Sequence, residues 1–205
     1  MLETEKKMTP APADCKPSKK QCPDITTDEG KLEREEMDGK PFASRVGGLL
    51  WQARTVRWDI AWITGMLTRF MSCYGKVHWG MSTYVLKFLS STRDPGLNFA
   101  QQMNGLTLRG SCDANRLCDY GDEKENMHST LGWAFLLGGA AVSVRSRTAQ
   151  RPSCSSAESE TQALWDCIRE AIWLRRMMRE FGQEQMDSTV IECDSQIAIR
   201  LSEEH

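Results

Sequence analysis

Three carboxylates, Asp113, Glu160 and Asp194, are residues whose types and positions in this sequence could do chemistry together. Two of them end segments with strand character, and Glu160 lies near the start of the helical segment between those strands. Carboxylates at close quarters repel one another unless cations hold them, and hard oxygen ligands suit Mg²⁺. Each also has a simpler interpretation: Asp194 caps a following helix, Asp113 belongs to a loop, or Glu160 is partly exposed. Taken together, the three favour a Mg²⁺ site.

The stretch Ser155–Arg176, SSAESETQALWDCIREAIWLRR, predicts a helix that turns its two first glutamates to different sides. At about 100° per residue, Glu160 lies on an apolar stripe with Leu164, Cys167, Ile168, Ala171 and Leu174. Glu158 lies on the polar side with Gln162, Trp165, Asp166 and Arg169. Ser155 and Glu158 also fit a capping box, in which a hydroxyl and a carboxylate satisfy free backbone N–H groups. Glu158 therefore has a structural role, whereas a buried Glu160 needs a partner for its charge.

The elements around this helix predict an α/β fold that brings the carboxylates together. LTLRGSCDA alternates like a strand that ends at Asp113, and GWAFLLGGAAVSVR indicates two strands joined by a tight turn at Gly138 and Gly139. After the helix at Ser155–Phe181, STVIECDS indicates a short strand that ends at Asp194. Two strands that flank a helix imply a parallel crossover, so Asp113 and Asp194 should emerge at the same end of neighbouring strands. Sites are built at such strand ends.

The chain before these strands is predicted to form two other regions. Met1–Lys40 is polar and interrupted by prolines, which predicts a flexible linker with at most a short helix at Lys31–Met37. The segment from Pro41 to Ser91 has helical periodicity, with Ile60, Ile63, Leu67 and Phe70 on one apolar side and Met81, Val85, Phe88 and Leu89 on another. A small helical bundle without any particular activity is the simplest interpretation of this region.

Composition limits the classes of function. The chain has 205 residues and a net charge of −2, which argues against a wholesale polyanion binder. Its eight cysteines contain no CxxC pair and it has only three histidines, so we expect reduced thiols, an intracellular setting and no zinc finger. The longest apolar run, Leu131–Val144, is too short to span a bilayer, and the polar first forty residues do not resemble a signal peptide. We therefore expect no membrane partner.

Several segments of the sequence resemble, in order and spacing, the C-terminal part of the polyprotein of copia-type LTR retrotransposons. The resemblance extends from about Lys19 to the last residue and runs through PFASRVGGLLWQARTVRWDIAWITGMLTRFMSCYGKVHWGMSTYVLKFLSSTRDPGL, CDAN, LGGAAVSVRSR, SSAESETQAL, REAIWLRRMMREFG and IECDSQIAI. It implies that residues 41–105 are the thumb or connection segment of a reverse transcriptase. It further implies that residues 106–205 form an RNase H-like domain, with a mixed sheet and a flanking helix, that is incomplete at its C-terminus.

The resemblance also implies a chemistry. ETQAL matches the helix pattern of the family, so the catalytic glutamate corresponds to Glu160, and the family's first and strand-end aspartates correspond to Asp113 and Asp194. RNase H-type enzymes place two Mg²⁺ ions, with Mn²⁺ as an alternative, on such a cluster and hydrolyse the RNA strand of an RNA–DNA hybrid. The implied partners are this hybrid, the upstream reverse-transcriptase palm and other polyprotein parts. The implied location is the cytoplasm, in virus-like particles.

Three arginines are candidates for contacts to the nucleic acid implied by the resemblance. Arg145, Arg147 and Arg151 follow the predicted hairpin in VRSRTAQR, and such contacts would reach the backbone and the 2′-hydroxyls of the hybrid. A solvated strand edge explains the same cluster.

The sequence departs from the family pattern at three places. Asn115 stands where the family has a second acidic residue, and the following NRLCDYGDEKENMHST differs in composition and length. The polymerase palm is absent. The sequence stops eleven residues after Asp194, before the family's fourth carboxylate, so we expect the 205-residue chain to be inactive and poorly folded. The alternative to a hydrolase is a non-catalytic retroelement remnant or a nucleic-acid-binding module of the same fold.

Overall fold

The computed structural model describes residues 6–94, 96–100, 106–115 and 128–203. These residues fall into two compact units, one made of the described residues up to 94 and the other of those from 96 onward. Most of the departing segment noted above, residues 116–127, and the residues 101–105 before the predicted boundary lie outside the described residues. The boundary at residues 105 and 106 therefore stays a prediction.

The first unit is helical. Its helices are α1 (Asp28–Met37), α2 (Phe42–Thr55), α3 (Ala61–Thr68) and α4 (Lys76–Ser91), with 3₁₀ turns at Lys19–Gln21 and Trp58–Ile60. The predicted stripe on the middle helix is buried throughout, at Ile60, Ile63, Leu67 and Phe70. The chain there is a 3₁₀ turn followed by a short α-helix rather than one continuous helix, and Phe70 lies beyond its end. The helical periodicity thus identified the core residues correctly.

The N-terminal forty residues carry more structure than their polar composition led us to expect. Helix α1 begins at Asp28, earlier than predicted, because the Thr27 hydroxyl caps it by accepting from the Gly30 N–H at 3.1 Å. Cys15 is buried in the core of the unit, and the Cys22 thiol donates to the Cys73 carbonyl at 2.8 Å. Small sulfur-containing side chains behave as apolar core residues, which a count of charges and prolines does not register.

The second unit contains a four-stranded mixed sheet, β1 (Arg109–Asn115), β2 (Thr130–Leu137), β3 (Ala140–Thr148) and β4 (Val190–Cys193), in the order β3-β2-β1-β4. Strands β1 and β2 are antiparallel, as are β2 and β3, whereas β1 and β4 are parallel. Gly138 and Gly139 form the β2–β3 turn with φ angles of 60° and 82°, which only glycine adopts at little cost. The predicted hairpin and parallel crossover are therefore confirmed.

Two helices flank this sheet. The long helix α5 (Ser156–Glu180) packs on β1 and β2, and the short helix α6 (Gln196–Glu203) follows β4. The core between α5 and the sheet contains Cys112, Trp133, Phe135, Leu164, Cys167 and Leu174, so the predicted stripe of α5 faces the sheet. A mixed sheet with flanking helices is consistent with the expected RNase H-like fold. Among the described residues, none of the helices combines the length and the apolar character needed to cross a membrane.

Candidate metal centre

The register of the parallel strands brings Asp113 and Asp194 to the same level of the sheet. Cys112 pairs with Cys193 at the end of the β1–β4 ladder, and each aspartate directly follows one of these cysteines. Asp113 lies within β1, where it pairs with Gly132 of β2, and the strand continues to Asn115 instead of ending at Asp113. Asp113 is therefore a strand residue and not a loop residue.

Helix α6 does not need the Asp194 side chain as its cap. The Ser195 hydroxyl accepts from the Ala198 N–H at 3.3 Å, and the Ser195 carbonyl accepts from the Ile199 N–H at 3.1 Å. Ser195 thus supplies the capping group that the simpler interpretation assigned to Asp194. The exposed Asp194 carboxylate remains available for another ligand.

Glu160 joins the two aspartates from the sheet-facing side of α5. The residue is partly buried, and its Oε2 atom is shielded from solvent without a hydrogen-bond partner. Burial raises the pKa of Glu160, and the negative charges of Asp113 and Asp194 raise this pKa further, while a backbone hydrogen bond from Ala114 lowers it. The sequence-predicted carboxylates therefore lie close enough to influence one another electrostatically.

One member of the cluster was missed by reasoning from the sequence. The ligand atoms of Glu160, Cys193 and Asp194 all lie within 4.8 Å of one another. Cys193 occupies an inward position of β4 and packs against the core below α5, so its alternation pattern marks it as an ordinary core residue. The signal that could have identified it is its position directly before Asp194, matched by Cys112 before Asp113.

The residues present fit a hard divalent cation. Glu160 Oε2 is a buried acceptor that lacks a donor, and such an atom is costly unless a cation or a proton satisfies it. Asp194 offers a carboxylate oxygen within 4.8 Å of one from Glu160, whereas Asp113 lies outside this group and acts on Glu160 through its charge. Carboxylate oxygens are the ligands that Mg²⁺ prefers.

Two hydrogen-bond groups position the beginning of α5, and with it Glu160. The Ser155 hydroxyl accepts from the Glu158 N–H at 3.1 Å, and the Glu158 carboxylate accepts from the Cys154 N–H at 2.7 Å. The predicted cap is thus present, although the carboxylate reaches the residue before Ser155. The buried hydroxyls of Ser129 and Ser159 lie 2.7 Å apart and join the helix to the start of β2, a contact that the sequence did not suggest.

The three candidate arginines have different surroundings. Arg147 forms a salt bridge with Asp166 of α5, with its Nε atom 3.1 Å from Oδ2, so this side chain pins β3 to the helix. The exposed Arg145 guanidinium lies 5.6 Å from the centroid of the Trp133 ring. Arg151 is exposed in the loop before α5. Arg145 and Arg151 present free surface to a nucleic acid more readily than Arg147 does.

Comparison with known proteins supplies the context for this cluster. The chain is 33% identical over 194 residues to the retrovirus-related Pol polyprotein from transposon TNT 1-94 of Nicotiana tabacum, which covers 95% of this chain and 14% of that polyprotein. It is 28% identical over 158 residues to the Pol polyprotein from transposon RE2 of Arabidopsis thaliana, of which it spans 10%. It is also 35% identical over 138 residues to the secreted RxLR effector protein 161 of Plasmopara viticola, of which it spans 94%.

No protein-family model and no solved structure matches the chain. The similarity to the polyproteins nevertheless extends over most of this sequence, although the chain spans only a small share of their length. The homologues of this chain are thus retrovirus-related Pol polyproteins of copia-type transposons, to which it is 28–33% identical over most of its length.

Proposed function

We propose that the second unit is the RNase H region of a copia-type Pol polyprotein and acts in hydrolysis of the RNA strand of RNA–DNA hybrids. In this proposal, the first unit from residue 41 onward is the thumb or connection segment of the reverse transcriptase. The observation that supports the proposal is the position of Glu160 beside Asp194 and near Asp113, where burial and then the charges of the two aspartates raise its pKa. Carboxylates at these positions are the ligands that RNase H chemistry requires.

Asp113, Glu160 and Asp194 would hold Mg²⁺, with Mn²⁺ as an alternative ion. The bound metal would supply activation of a water molecule and stabilisation of the leaving 3′ oxygen. The chain itself would hold the three carboxylates in position. The backbone ladder fixes the two aspartates, the hydroxyl and capping contacts fix the start of α5, and burial keeps Glu160 Oε2 away from bulk water. Arg145 and Arg151 would contact the phosphates of the hybrid.

A pair of neighbouring substitutions tests the proposal in a polyprotein that contains this region. Glu160→Gln removes a ligand charge at almost constant volume, whereas Glu158→Gln changes an exposed cap on the same helix turn. With a labelled RNA–DNA hybrid and Mg²⁺, the first variant should lose cleavage and the second should keep it. Equal losses in both variants would refute the assignment of Glu160. Parallel assays with double-stranded RNA and double-stranded DNA define the substrate class.

A non-catalytic role is the second candidate function. It is favoured by one observation: the chain spans 94% of a relative that is named as a secreted effector, at 35% identity. Asn115, where the family has an acidic residue, also agrees with this role. Under this alternative, Glu160→Gln changes neither cleavage nor binding of RNA–DNA hybrids, and no divalent cation binds at the carboxylates.

A further inference from the structure

The thiol of Cys193 lies in the carboxylate cluster, although hydrolysis with Mg²⁺ does not require a sulfur ligand. Cys193 Sγ lies within 4.8 Å of ligand oxygens of Glu160 and Asp194, and the same limit holds between the two carboxylates. In a tetrahedral site with Zn–S and Zn–O bonds of about 2.3 and 2.1 Å, the sulfur and oxygen donors of one Zn²⁺ ion lie about 3.6 Å apart. Movements of about 1 Å would therefore bring the three atoms onto a single ion.

We propose that Glu160, Cys193 and Asp194 form a binding site for a thiophilic divalent cation such as Zn²⁺. A thiolate and two carboxylates match the ligand preferences of Zn²⁺, and three protein ligands leave a fourth tetrahedral position open to water. Mg²⁺ and other hard cations prefer oxygen and gain little from the sulfur. The Cys193 thiol would thus favour Zn²⁺ at a site whose oxygen ligands alone favour Mg²⁺.

Two further observations point to a cation between these atoms. Glu160 Oε2 is buried and has no hydrogen-bond partner, so one oxygen of a carboxylate in this cluster is an acceptor without a donor. Cys112 and Cys193 pair across β1 and β4, and both thiols pack against the core below α5, so Cys193 is held by neighbouring core residues. Such supporting contacts hold metal ligands in place.

The proposed site overlaps the proposed Mg²⁺ site without coinciding with it. Glu160 and Asp194 are common to both, whereas Cys193 belongs only to the Zn²⁺ site and Asp113 only to the Mg²⁺ site. Zn²⁺ and Mg²⁺ therefore exclude each other, and Zn²⁺ would act as an inhibitor of any Mg²⁺-dependent reaction here. This inference goes beyond the proposed function, because Zn²⁺ binding does not require hydrolysis.

Spectroscopy with Co²⁺ tests the proposal on the whole 205-residue chain. Co²⁺ replaces Zn²⁺ in tetrahedral sites, and a cysteine ligand gives a sulfur-to-cobalt charge-transfer band. The wild type should show this band, and Zn²⁺ should abolish it. Cys193→Ser should remove the band and weaken Zn²⁺ binding roughly tenfold or more in calorimetry. Cys154→Ser, which changes an exposed cysteine of the same unit, should leave both unchanged. A band that persists in Cys193→Ser would overturn the assignment.

An alkylation experiment on the wild type covers the case in which Cys193→Ser does not fold. Zn²⁺ should slow the reaction of Cys193 with iodoacetamide at least several-fold while leaving Cys154 unaffected, as measured by mass spectrometry of the labelled peptides. Equal reactivity of Cys193 with and without Zn²⁺ would refute the site. Asp113→Asn separates the two metal proposals, since it should weaken Mg²⁺ binding and retain the Co²⁺ charge-transfer band. Loss of Mg²⁺ binding alone would not affect the Zn²⁺ proposal.

Discussion

At the scale of single residues, Glu160 is held in a position that disfavours its own charge. Its pKa is raised by burial and by the two aspartates. A carboxyl whose pKa is higher in the folded than in the unfolded state stabilises the fold below its unfolded pKa, and this contribution is lost as the pH rises through the folded pKa. Without a divalent cation, ionisation of Glu160 therefore opposes folding.

Glu160→Gln should consequently stabilise the metal-free chain at neutral pH by on the order of 1 kcal/mol, because it removes a charge beside two others. The gain should shrink as the pH falls through the raised pKa of Glu160, since the wild-type side chain is then neutral as well. Urea unfolding across this pH range measures the effect. Glu158→Gln should instead cost at most about 1 kcal/mol through the helix cap. A gain for Glu160→Gln that is independent of pH would contradict this explanation.

Ser159→Ala should destabilise the second unit by about 1 kcal/mol, because it removes the 2.7 Å hydrogen bond to the buried Ser129 hydroxyl and leaves that hydroxyl only a 3.4 Å contact with the Ser153 hydroxyl. The same change should reduce Mg²⁺ affinity modestly, since the hydroxyl pair fixes the start of α5 beside Glu160. Ser156→Ala, an exposed position in the same turn, is the control. Chemical denaturation and metal titration of both variants distinguish the two effects, and equal stabilities would show that the hydroxyl pair contributes nothing.

At the scale of elements, β1 and β2 pack closely where Gly110 faces Phe135. Gly110 pairs with Phe135, and a Cβ atom at Gly110 would lie 2.5 Å from the Phe135 ring. The ring is completely buried and cannot move aside. Gly110→Ala should therefore cost about 1–3 kcal/mol through overpacking.

The matched control for this prediction is Gly132→Ala in the neighbouring strand. Its added Cβ would meet its nearest neighbour, the Arg145 carbonyl oxygen, at an ordinary 3.6 Å. Because the substitution also restricts the unfolded chain, it should be neutral or stabilise by up to about 1 kcal/mol. Thermal unfolding of the two alanine variants compares them directly. A similar cost at both glycines would mean that strand propensity, and not the Phe135 ring, determines the result.

The sequence predicted those elements whose apolar pattern is regular. The stripe on α5, the glycine turn between β2 and β3 and the parallel relation of β1 to β4 all follow from periodicity and order. The position of Cys193 in the carboxylate cluster does not follow from periodicity. An inward cysteine in a strand has the same sequence pattern whether it faces only the core or also a cluster of carboxylates. The packing of Cys15 was missed for a related reason: periodicity indicates which side of an element is apolar, but not which distant segment covers it.

At the scale of the whole molecule, each unit has its own hydrophobic core, and the carboxylates lie in the second unit. A cation that binds only the folded state stabilises that state by mass action. Mg²⁺ at about 100 times its dissociation constant should raise the free energy of unfolding by about 2.7 kcal/mol. Calorimetry with and without Mg²⁺ measures this shift.

Asp113→Asn should abolish most of the Mg²⁺-dependent shift, because it removes one of the proposed ligands. Asp187→Asn, which alters an exposed aspartate of the same unit, should preserve the full shift and so controls for the loss of one negative charge. Identical shifts in the wild type and in Asp113→Asn would mean that the cation binds elsewhere on the chain.

The pairing of Cys112 with Cys193 has a consequence for how copies of such a sequence change over generations. Because each aspartate directly follows a paired backbone position, the interval between them is set by the spacing of neighbouring strands, about 4.8 Å, and not by the packing of any side chain. Drift in the apolar residues can therefore proceed for long periods without moving the two acids apart. In a copy released from selection, the two aspartates should therefore be lost by replacement of an acid itself and not by displacement, and a survey of genomic copies can count such replacements directly.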